Sequence, residues 1–573
     1  MSQNRVFKRP MPDANVPRNS FDRSKRISLN LSFGELVTCY CNVALAGSRW
    51  QLDVQSFFRT AQLNTAAFPR LKMETEFFCV PIRYLWSYWD NFKLGISDYN
   101  STALASVRDN FGQPIANPAN VPAVDLFRLY KLMDDNSFLN DQNFNKICTP
   151  MYGRYKKNLF SGTFPSDSSE YVQKQMVSLI MPAAYQKVYY DHFRNTAYES
   201  NIPYAYNLDY LTQEDRSLDG ITDAELVPIF TKRFVNYRKD YFQSIFPSLN
   251  FVSSSPSLPV NSIPSWVQGA LNASNPSVSI FSNPGGFLNG TPSALMGPAE
   301  SGRTVFSTQT IRAMFALDKL QRSSAYAPKH VKQQYEARYG IKFSDNNSFE
   351  SQRIGSFSTE IAIGEVTSMA NTGSTGDPLG AIGGKGVGGR DASELLSYNV
   401  DEDSIIIGVC YAIPRTSYDA YRLPSWSTKL TSNDFFIPEF MNLGLRPMYT
   451  KEFSMIYYDS NGNLKMQTAA GRNAALGYTL PYMEYKADVD ENYGLFADKD
   501  SELGQFVVHS NLRSSAVVGS GVSSDYFKVK PADMNSIFVN QSDGTESTDQ
   551  LFGEITFRMP VSQNMSVHGV PSL

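Results

Sequence analysis

The sequence predicts a mainly β fold in which long loops join the strands and a few helices accompany them. Phe and Tyr are abundant, with 38 and 32 copies in 573 residues, and aromatic residues favour strands. Gly, Pro, Ser and Asn, which are typical of turns, occur along the whole length. Residues 50–54 and 72–77 alternate apolar and polar side chains, as half-buried strands do. Together these observations favour strands and loops over a helical bundle.

The clearest pattern lies between residues 47 and 92. The predicted strand at 72–77 is followed by an apolar run that ends at Pro81, a residue suited to the first turn of a helix. Residues 82–89 then place large apolar side chains at helical spacing on one face. A further strand is predicted at 35–46. These elements would form the first strands of a β-barrel and a helix packed beside them.

The remaining elements follow in chain order. Asp125 is placed to cap a helix, and apolar spacing predicts another helix over 310–321. A third helix ends at Gly340, because glycine favours the left-handed conformation after a helix. Residues 405–411 are rich in β-branched side chains and predict a buried strand. Residues 553–559 alternate and predict the last strand.

The composition argues against several classes of protein. No apolar run reaches the roughly 18 residues of a membrane helix, and residues 1–9 are polar and basic, unlike a secretory signal. The five cysteines include no CxxC pair and are predicted to be free thiols in a reducing compartment. With a net charge of −3, the chain cannot by itself offset the phosphate charge of a nucleic acid. Any such contact is local, or is shared with small cations or a basic helper protein.

Residues that usually carry catalysis are sparse. Four histidines are scattered and no HExxH or GxSxG motif occurs. His192 is predicted to be a structural side chain, because no second histidine lies at metal-ligand spacing. Gly384, Gly386 and Gly389 match GxGxxG, but turn residues precede them, so a flexible loop is predicted in place of a phosphate cradle. We expect no enzyme, no cofactor and no metal site, although the carboxylates at 488–491 leave a cation site open.

Several segments share motifs with one known family. These segments are residues 57–67, 77–86, 182–194, 238–247, 435–444, 476–494 and 565–573. Residues 238–247, with the sequence RKDYFQSIFP, are among the most specific. The segments resemble the major capsid proteins of microviruses, which are small icosahedral phages with single-stranded DNA. The resemblance is closest to the gokushovirus-like and Bacteroidetes-phage branches, and it reaches both ends of the chain.

The resemblance implies a fold and a set of partners. Residues 27–573 would form a single viral jelly roll, an eight-stranded antiparallel β-barrel, with insertions at about 96–180, 248–302 and 371–400. Sixty copies, grouped as pentamers, would enclose single-stranded DNA in a T=1 shell assembled in the bacterial cytoplasm. A small basic DNA-binding protein, a pilot protein and a host surface receptor are the other implied partners, and no membrane is implied.

Residues 1–26 are predicted to be a basic N-terminal arm. Pro10, Pro12 and Pro17 disfavour regular structure there. The side chains predicted to face DNA inside a shell are Arg5, Lys8, Arg9, Arg18, Arg23, Lys25 and Arg26. A solvated tail, or an arm that reaches a neighbouring subunit, is the alternative interpretation.

Residues 248–302 lose all periodicity and are dominated by Ser, Pro, Asn and Gly. A loop of this length in a folded protein is expected to be functional or mobile. The resemblance implies a projection on the capsid exterior that contacts the host, with Trp266, Phe281 and Phe287 as its isolated aromatic residues. The alternative is a loop that covers a joint between subunits.

A second hypothesis concerns another class of protein. The same composition suits a secreted carbohydrate-binding or glycosidase-like β-sandwich, with Trp266 or Trp426 as the platform for a sugar ring. Such a protein should carry a signal sequence, and none is visible in the sequence.

Overall fold

The computed structural model describes most of the chain. The described ranges are 16–94, 121–154, 175–211, 222–247, 312–367 and 382–568, without 127, 130–131, 133–140, 313–315, 317–318, 321–322, 325, 344–347, 392–394, 443, 459–462, 511–521 and 540–547.

Strands dominate the described residues. They are β1 Arg18–Asp22, β2 Lys25–Leu31, β3 Val37–Ala44, β4 Arg49–Thr60, β5 Leu71–Pro81, β6 Ala123–Asp125, β7 Met176–Ser178, β8 Gln352–Thr367, β9 Ile382–Arg390, β10 Leu396–Asn399, β11 Ser404–Pro414, β12 Tyr418–Asp419, β13 Arg446–Tyr449, β14 Ile456–Tyr458, β15 Leu464–Met466, β16 Ala475–Thr479, β17 Glu491–Asn492, β18 Leu551–Arg558 and β19 Pro560–Asn564. The α-helices with described bounds are α1 Trp89–Leu94, α2 Asp141–Tyr152, α3 Ile180–Val188, α4 Asp223–Phe230, α5 Val331–Tyr339, α6 Thr450–Phe453, α7 Ala469–Arg472 and α8 Ser524–Phe527.

Eleven strands form one antiparallel sheet, which confirms the prediction of a mainly β fold. Its order is β1-β19-β4-β9-β8-β5-β11-β3. β2 and β18 pair with each other beside β4, and β10 follows β9 along β4. The sheet has eight positions side by side, and three of them are each occupied by two strands: β1 and β2, β19 and β18, and β9 and β10. The strand count is therefore eleven, where eight were predicted.

The sheet is curled, as the change of partners along its long strands shows. β8 pairs with β5 up to Ile361 and with β9 from Ala362 onward. Side chains link the two edges of the sheet: Arg23 donates to the Val43 carbonyl of β3 at 3.3 Å, and the Lys25 ammonium lies 4.4 Å from the centroid of the Tyr40 ring. The interior holds one continuous apolar core, in which Phe557 packs 5.5 Å from the Tyr40 ring.

The prediction that residues 1–26 lack regular structure is wrong for residues 18–22 and 25–26. β1 pairs with β19 and β2 pairs with β18. The three prolines all precede Arg18, so they remove no donor from these ladders. Ile27 and Leu29 pack on the main core from β2, which is the alternation expected of a strand.

The flexible loop predicted at the glycine-rich segment is also wrong where the segment is described. Residues 382–390 and 396–399 are strands of the main sheet, so the insertion predicted at 371–400 does not include them. An added Cβ at Gly388 would lie 2.6 Å from the Glu360 carbonyl oxygen, and one at Gly386 would lie 2.8 Å from an Ile361 methyl carbon. The glycines therefore allow close packing of the curled sheet.

The predicted helices are found in part. After Pro81 the chain forms a single 3₁₀ turn, Ile82–Tyr84, and α1 begins later, at Trp89. The helix predicted to end at Gly340 is α5, and Gly340 has the left-handed φ of 69°. All five cysteines are free thiols, as predicted, and the structure also shows that all five are buried.

Candidate assembly surface

A second apolar core lies apart from the main one and supports the surface described below. Phe242 is at its centre, with ring centroids 4.8 Å from Tyr418 and 5.2 Å from Phe453. Asp240 accepts hydrogen bonds from the backbone N–H groups of residues 242 and 243 and from the Tyr418 hydroxyl. Residues of the RKDYFQSIFP motif therefore form part of this core, which explains why this segment carries a distinctive sequence.

Large apolar side chains next to this core face outward and form the aromatic surface. The aromatic surface comprises Trp426, Phe435, Phe436, Phe440, Met441 and Tyr485, which are 41–50 % exposed. The Trp426 and Tyr485 rings meet edge to face at 4.7 Å, and Phe436 meets Tyr482 in the same way at 5.0 Å. Contiguous exposed apolar side chains of this kind mark interaction sites, and aromatic residues are enriched at protein interfaces.

A buried cation holds the aromatic surface from below. The Lys429 ammonium lies 5.4 Å from the Trp426 ring centroid and 5.2 Å from that of Tyr485, and it pairs with Glu484 at 2.8 Å. Both charged side chains are at most 8 % exposed. Cation–π contacts of this kind are stronger when water is excluded, so the rings are fixed in place before any partner arrives.

An ion network joins Glu484 to the second core. Arg446 donates to Glu484 and to Glu452, each at 3.3 Å, and to the Tyr241 hydroxyl at 2.9 Å. Burial disfavours the charged form of Glu484, but the hydrogen bond from Lys429 and the charge of Arg446 outweigh it, so the pKa of Glu484 is lowered. This network ties the base of the aromatic surface to the second core, and side chains that are held in place lose less entropy on binding.

Two further apolar surfaces are exposed elsewhere in the described chain. Phe68, Tyr493 and Leu495 are each more than 60 % exposed, and the Phe68 ring lies 5.5 Å from Phe506. Helix α5 has no buried residue and carries Val331, Tyr335 and Tyr339 at intervals of four. The described part of the chain thus exposes apolar side chains on several elements, as protein contacts require.

A buried histidine, His509, connects two segments close to the second core. His509 places Nδ1 3.0 Å from Asp419 Oδ1 and Nε2 2.9 Å from the Gly504 carbonyl oxygen. A carbonyl oxygen and an ionised carboxylate can only accept hydrogen bonds, so this geometry suits an imidazole that carries hydrogen on both ring nitrogens. Burial opposes the charge of that form, but the hydrogen bond and charge of Asp419 outweigh it, so the pKa of His509 is raised. Lys499 opposes the shift.

We expect His509 to make stability depend on pH. A raised pKa contributes stability that is fully present below the ordinary value of about 6.5 and is lost as pH rises through the folded-state pKa. Melting temperature should therefore exceed that of His509→Gln most at pH 6, and the difference should shrink by about 1–3 °C toward pH 8.5. His568→Gln, at an exposed position, should keep the wild-type profile. A difference that is constant with pH would contradict the charged assignment.

The residues predicted to face DNA divide into two groups. Arg5, Lys8 and Arg9 lie outside the described residues, as do Trp266, Phe281 and Phe287 of the predicted exterior loop. Arg18, Arg23, Lys25 and Arg26 lie on or between β1 and β2.

All four of these described cations have partners within the chain. Arg23 donates to the Asn42 amide oxygen and lies over the Trp50 ring, at 5.1 Å. Lys25 lies over Tyr40, and burial lowers its pKa. Arg26 pairs with Glu554. Arg18 donates to the hydroxyl and carbonyl oxygens of Ser562, both of which are neutral.

Nothing in the described part of the chain resembles a catalytic or metal centre. No group of three or more metal-ligating side chains occurs there. His192 is a structural side chain, as predicted, since it stacks on Phe78 at 4.7 Å and contacts the Ser351 carbonyl oxygen at 2.8 Å. The cavity beside Trp426 measures about 60 Å³, which is far below the roughly 300 Å³ of small ligand pockets. No described helix is long and apolar enough to span a bilayer.

A curled antiparallel sheet that exposes several groups of apolar side chains is typical of a protein that assembles by surface contacts. The family model described as "Capsid protein (F protein)" matches residues 10–119 and 133–573. The chain is 22 % identical to "Capsid protein VP1" of Chlamydia phage 1 over 533 residues, which cover 85 % of each protein. It is 22 % identical to "Capsid protein VP1" of Bdellovibrio phage phiMH2K over 594 residues, which cover 98 % of this chain and 96 % of the relative.

The chain therefore belongs to the F-type capsid protein family of the Microviridae. It is a structural capsid protein of the virion and not an enzyme. The sequence motifs had predicted this family. They did not single out the aromatic surface, although residues 435–444 were among the segments that carried the resemblance.

Proposed function

We propose that sixty copies of this chain, grouped as pentamers, form a closed icosahedral shell around single-stranded DNA, and that the aromatic surface is a contact between neighbouring copies. The eight-position order of the curled sheet supports a single jelly roll as the body of each subunit. An icosahedral shell combines different rotation axes, so each subunit must meet its neighbours through more than one kind of surface. The three groups of exposed apolar side chains are suited to that requirement.

The other partners follow from the family and the sequence. Arg5, Lys8 and Arg9 in the N-terminal segment would face DNA, with a small basic protein completing charge neutralisation. Residues 248–302, with Trp266, Phe281 and Phe287, would project outward and contact a host surface receptor. A pilot protein would accompany the shell, which would assemble in the bacterial cytoplasm.

The observation that carries the proposal is the preorganised aromatic surface, and replacement of its side chains tests it. Phe436→Ser with Phe440→Ser should leave a folded subunit but reduce particle yield more than tenfold. Removing an aromatic anchor typically costs at least about 1 kcal/mol per contact, and a shell repeats that loss in every copy. Electron microscopy and sedimentation would measure the yield, and circular dichroism would verify the fold.

Phe552→Ser provides the matched control. Phe552 has the same 45 % exposure as Phe436, but it lies on β18 of the main sheet. Its particle yield should stay within about twofold of wild type, as expected for a surface substitution outside a contact. Normal yield from the double variant would remove the aromatic surface from the assembly contacts.

A further inference from the structure

We propose that a polar groove across four strands of the main sheet binds a phosphodiester group of the packaged single-stranded DNA. The groove lies at one end of the sheet, where β1, β19, β4 and β10 are neighbours. This inference deepens the proposed function and rests on it. It assigns the contact largely to residues outside the basic N-terminal arm.

Strand register places the lining side chains in one row. Ser20 pairs with Ser562, Ser562 pairs with Arg49, and Arg49 pairs with Asn399. Directly paired residues on adjacent antiparallel strands point to the same face and lie within about 5.5 Å at Cβ. The row therefore combines two hydroxyls, a guanidinium and an amide, although its members are up to 542 positions apart in the chain.

The groove has room for a ligand and carries net positive charge. Its cavity measures about 470 Å³, and its lining residues are Arg18, Ser20, Arg49, Gln51, Asn399, Pro560 and Ser562. Two of these are cationic and none is acidic. Asp22 and Asp53, on the same strands, do not line it. Arg18, Arg49 and Asn399 are exposed, so the groove is open to a long polymer.

Both guanidiniums remain available for an anion. Arg49 donates from Nε to Ser397 Oγ at 3.0 Å, and Arg18 donates to the Oγ and carbonyl oxygen of Ser562 at 3.3 and 3.5 Å. These partners are neutral, and neither arginine forms an ion pair with a described carboxylate. A guanidinium carries five N–H donors, and arginine binds phosphate through two of them at once.

The set of side chains also indicates which anion is bound. Phosphate oxygens of DNA are contacted mainly by Arg, Lys, Ser, Thr, Asn, Gln and Tyr, and this groove offers Arg, Ser, Asn and Gln. No large aromatic side chain lines it, so it lacks the stacking platform that would read or hold a base. We therefore expect binding that is independent of base sequence.

Binding of a fluorescent twenty-residue oligothymidylate to the full-length subunit tests the inference. Arg49→Gln should raise Kd about three- to tenfold at low salt. It should also lower the slope of log Kd against log salt by about 0.7, the value for one phosphate contact on a single strand. Arg49→Lys, which keeps the charge, should retain most of the slope. Circular dichroism would verify that each variant is folded.

Arg59→Gln is the matched control. Arg59 is also an exposed arginine of β4, ten residues further along, which places it roughly 30 Å away. Its substitution should leave Kd and the salt slope unchanged. Equal effects of Arg49→Gln and Arg59→Gln, or no effect of Arg49→Gln, would overturn the inference.

Two further measurements distinguish this inference from binding of free phosphate and from the proposed shell. Calorimetry with inorganic phosphate distinguishes a free anion from a polymer: tight phosphate binding without oligothymidylate binding would overturn the assignment to DNA. Particle formation tests the shell separately. Particles that form normally while Arg49→Gln binds oligothymidylate like wild type would overturn the groove and leave the proposed shell intact.

Discussion

Gly384→Ala is expected to abolish the soluble folded protein, even though it adds a single methyl group. The new Cβ would overlap the Thr65 carbonyl oxygen and lie 2.7 Å from the Thr65 carbonyl carbon. These are backbone atoms, and Gly384 also exchanges backbone hydrogen bonds with Leu63 at 3.1 and 3.3 Å. Neither side can move without breaking the ladder, so we expect a cost at or above the upper end of the about 1–3 kcal/mol typical of overpacking.

Gly364→Ala is the control for this prediction. Gly364 lies on the neighbouring strand β8, and an added Cβ there would meet nothing within 4 Å. Its variant should unfold within about 0.5 kcal/mol of wild type, as an unobstructed surface substitution does. Soluble yield and denaturant unfolding would measure both. Equal stability of the two variants would mean that β9 does not lie against residues 63–66.

Lys146→Met is expected to destabilise the subunit by about 3–5 kcal/mol, the usual cost of leaving a buried charge without its partner. Lys146 pairs with Glu35 at 3.1 Å and with Asp549, and all three side chains are at most 5 % exposed. Lys232 provides the second contact to Glu35, at 2.5 Å. The cluster joins α2 to the loop after β2 and to the segment before β18, so its loss should loosen both ends of the chain.

The cluster contains two cations, Lys146 and Lys232, and two anions, Glu35 and Asp549. The controls are chosen to keep or to break this balance of charge. Adding Asp549→Leu to Lys146→Met removes one cation and one anion together, so most of the lost stability should return. Arg415→Gln breaks an ion pair with Asp490 in which both side chains are about half exposed, and it should cost at most about 1 kcal/mol. Urea unfolding would measure all three. A loss below 1 kcal/mol for Lys146→Met would contradict the buried network.

Local patterns predicted the elements whose partners are near in sequence or whose periodicity is strong. The alternation at 72–77 became β5, and the β-branched run at 405–411 became part of β11. Gly340 ended α5 in the left-handed conformation, as glycine after a helix usually does. In each case one short segment contains the whole physical cause.

The errors arose where the cause lies far away in the chain. Residues 18–22 and 25–31 form strands because the C-terminal strands β19 and β18 pair with them, and no local pattern reports a partner more than 500 positions away. The glycines of residues 382–390 predict a flexible loop, yet glycine is required there by the closeness of residues 60–66 and 360–361. Composition alone cannot distinguish the glycines of a flexible loop from glycines that close packing requires.

The aromatic surface and the polar groove also differ in how far their causes can be read from local sequence. The motif at 435–444 was visible in the sequence, but its outward orientation follows from the second core and from Lys429 beneath it. The groove around Arg49 could not be predicted, because its row of side chains exists only through the register of four strands. The sequence did predict the family, since its motifs span both ends of the chain.

The most direct test of the central proposal is a cryo-electron microscopy reconstruction, at side-chain resolution, of particles that contain this chain. We predict a closed shell in which Trp426, Phe435, Phe436 and Phe440 of each subunit are covered by a neighbouring copy. A shell in which these side chains face solvent, or a chain that is found only as separate monomers, would contradict the proposal.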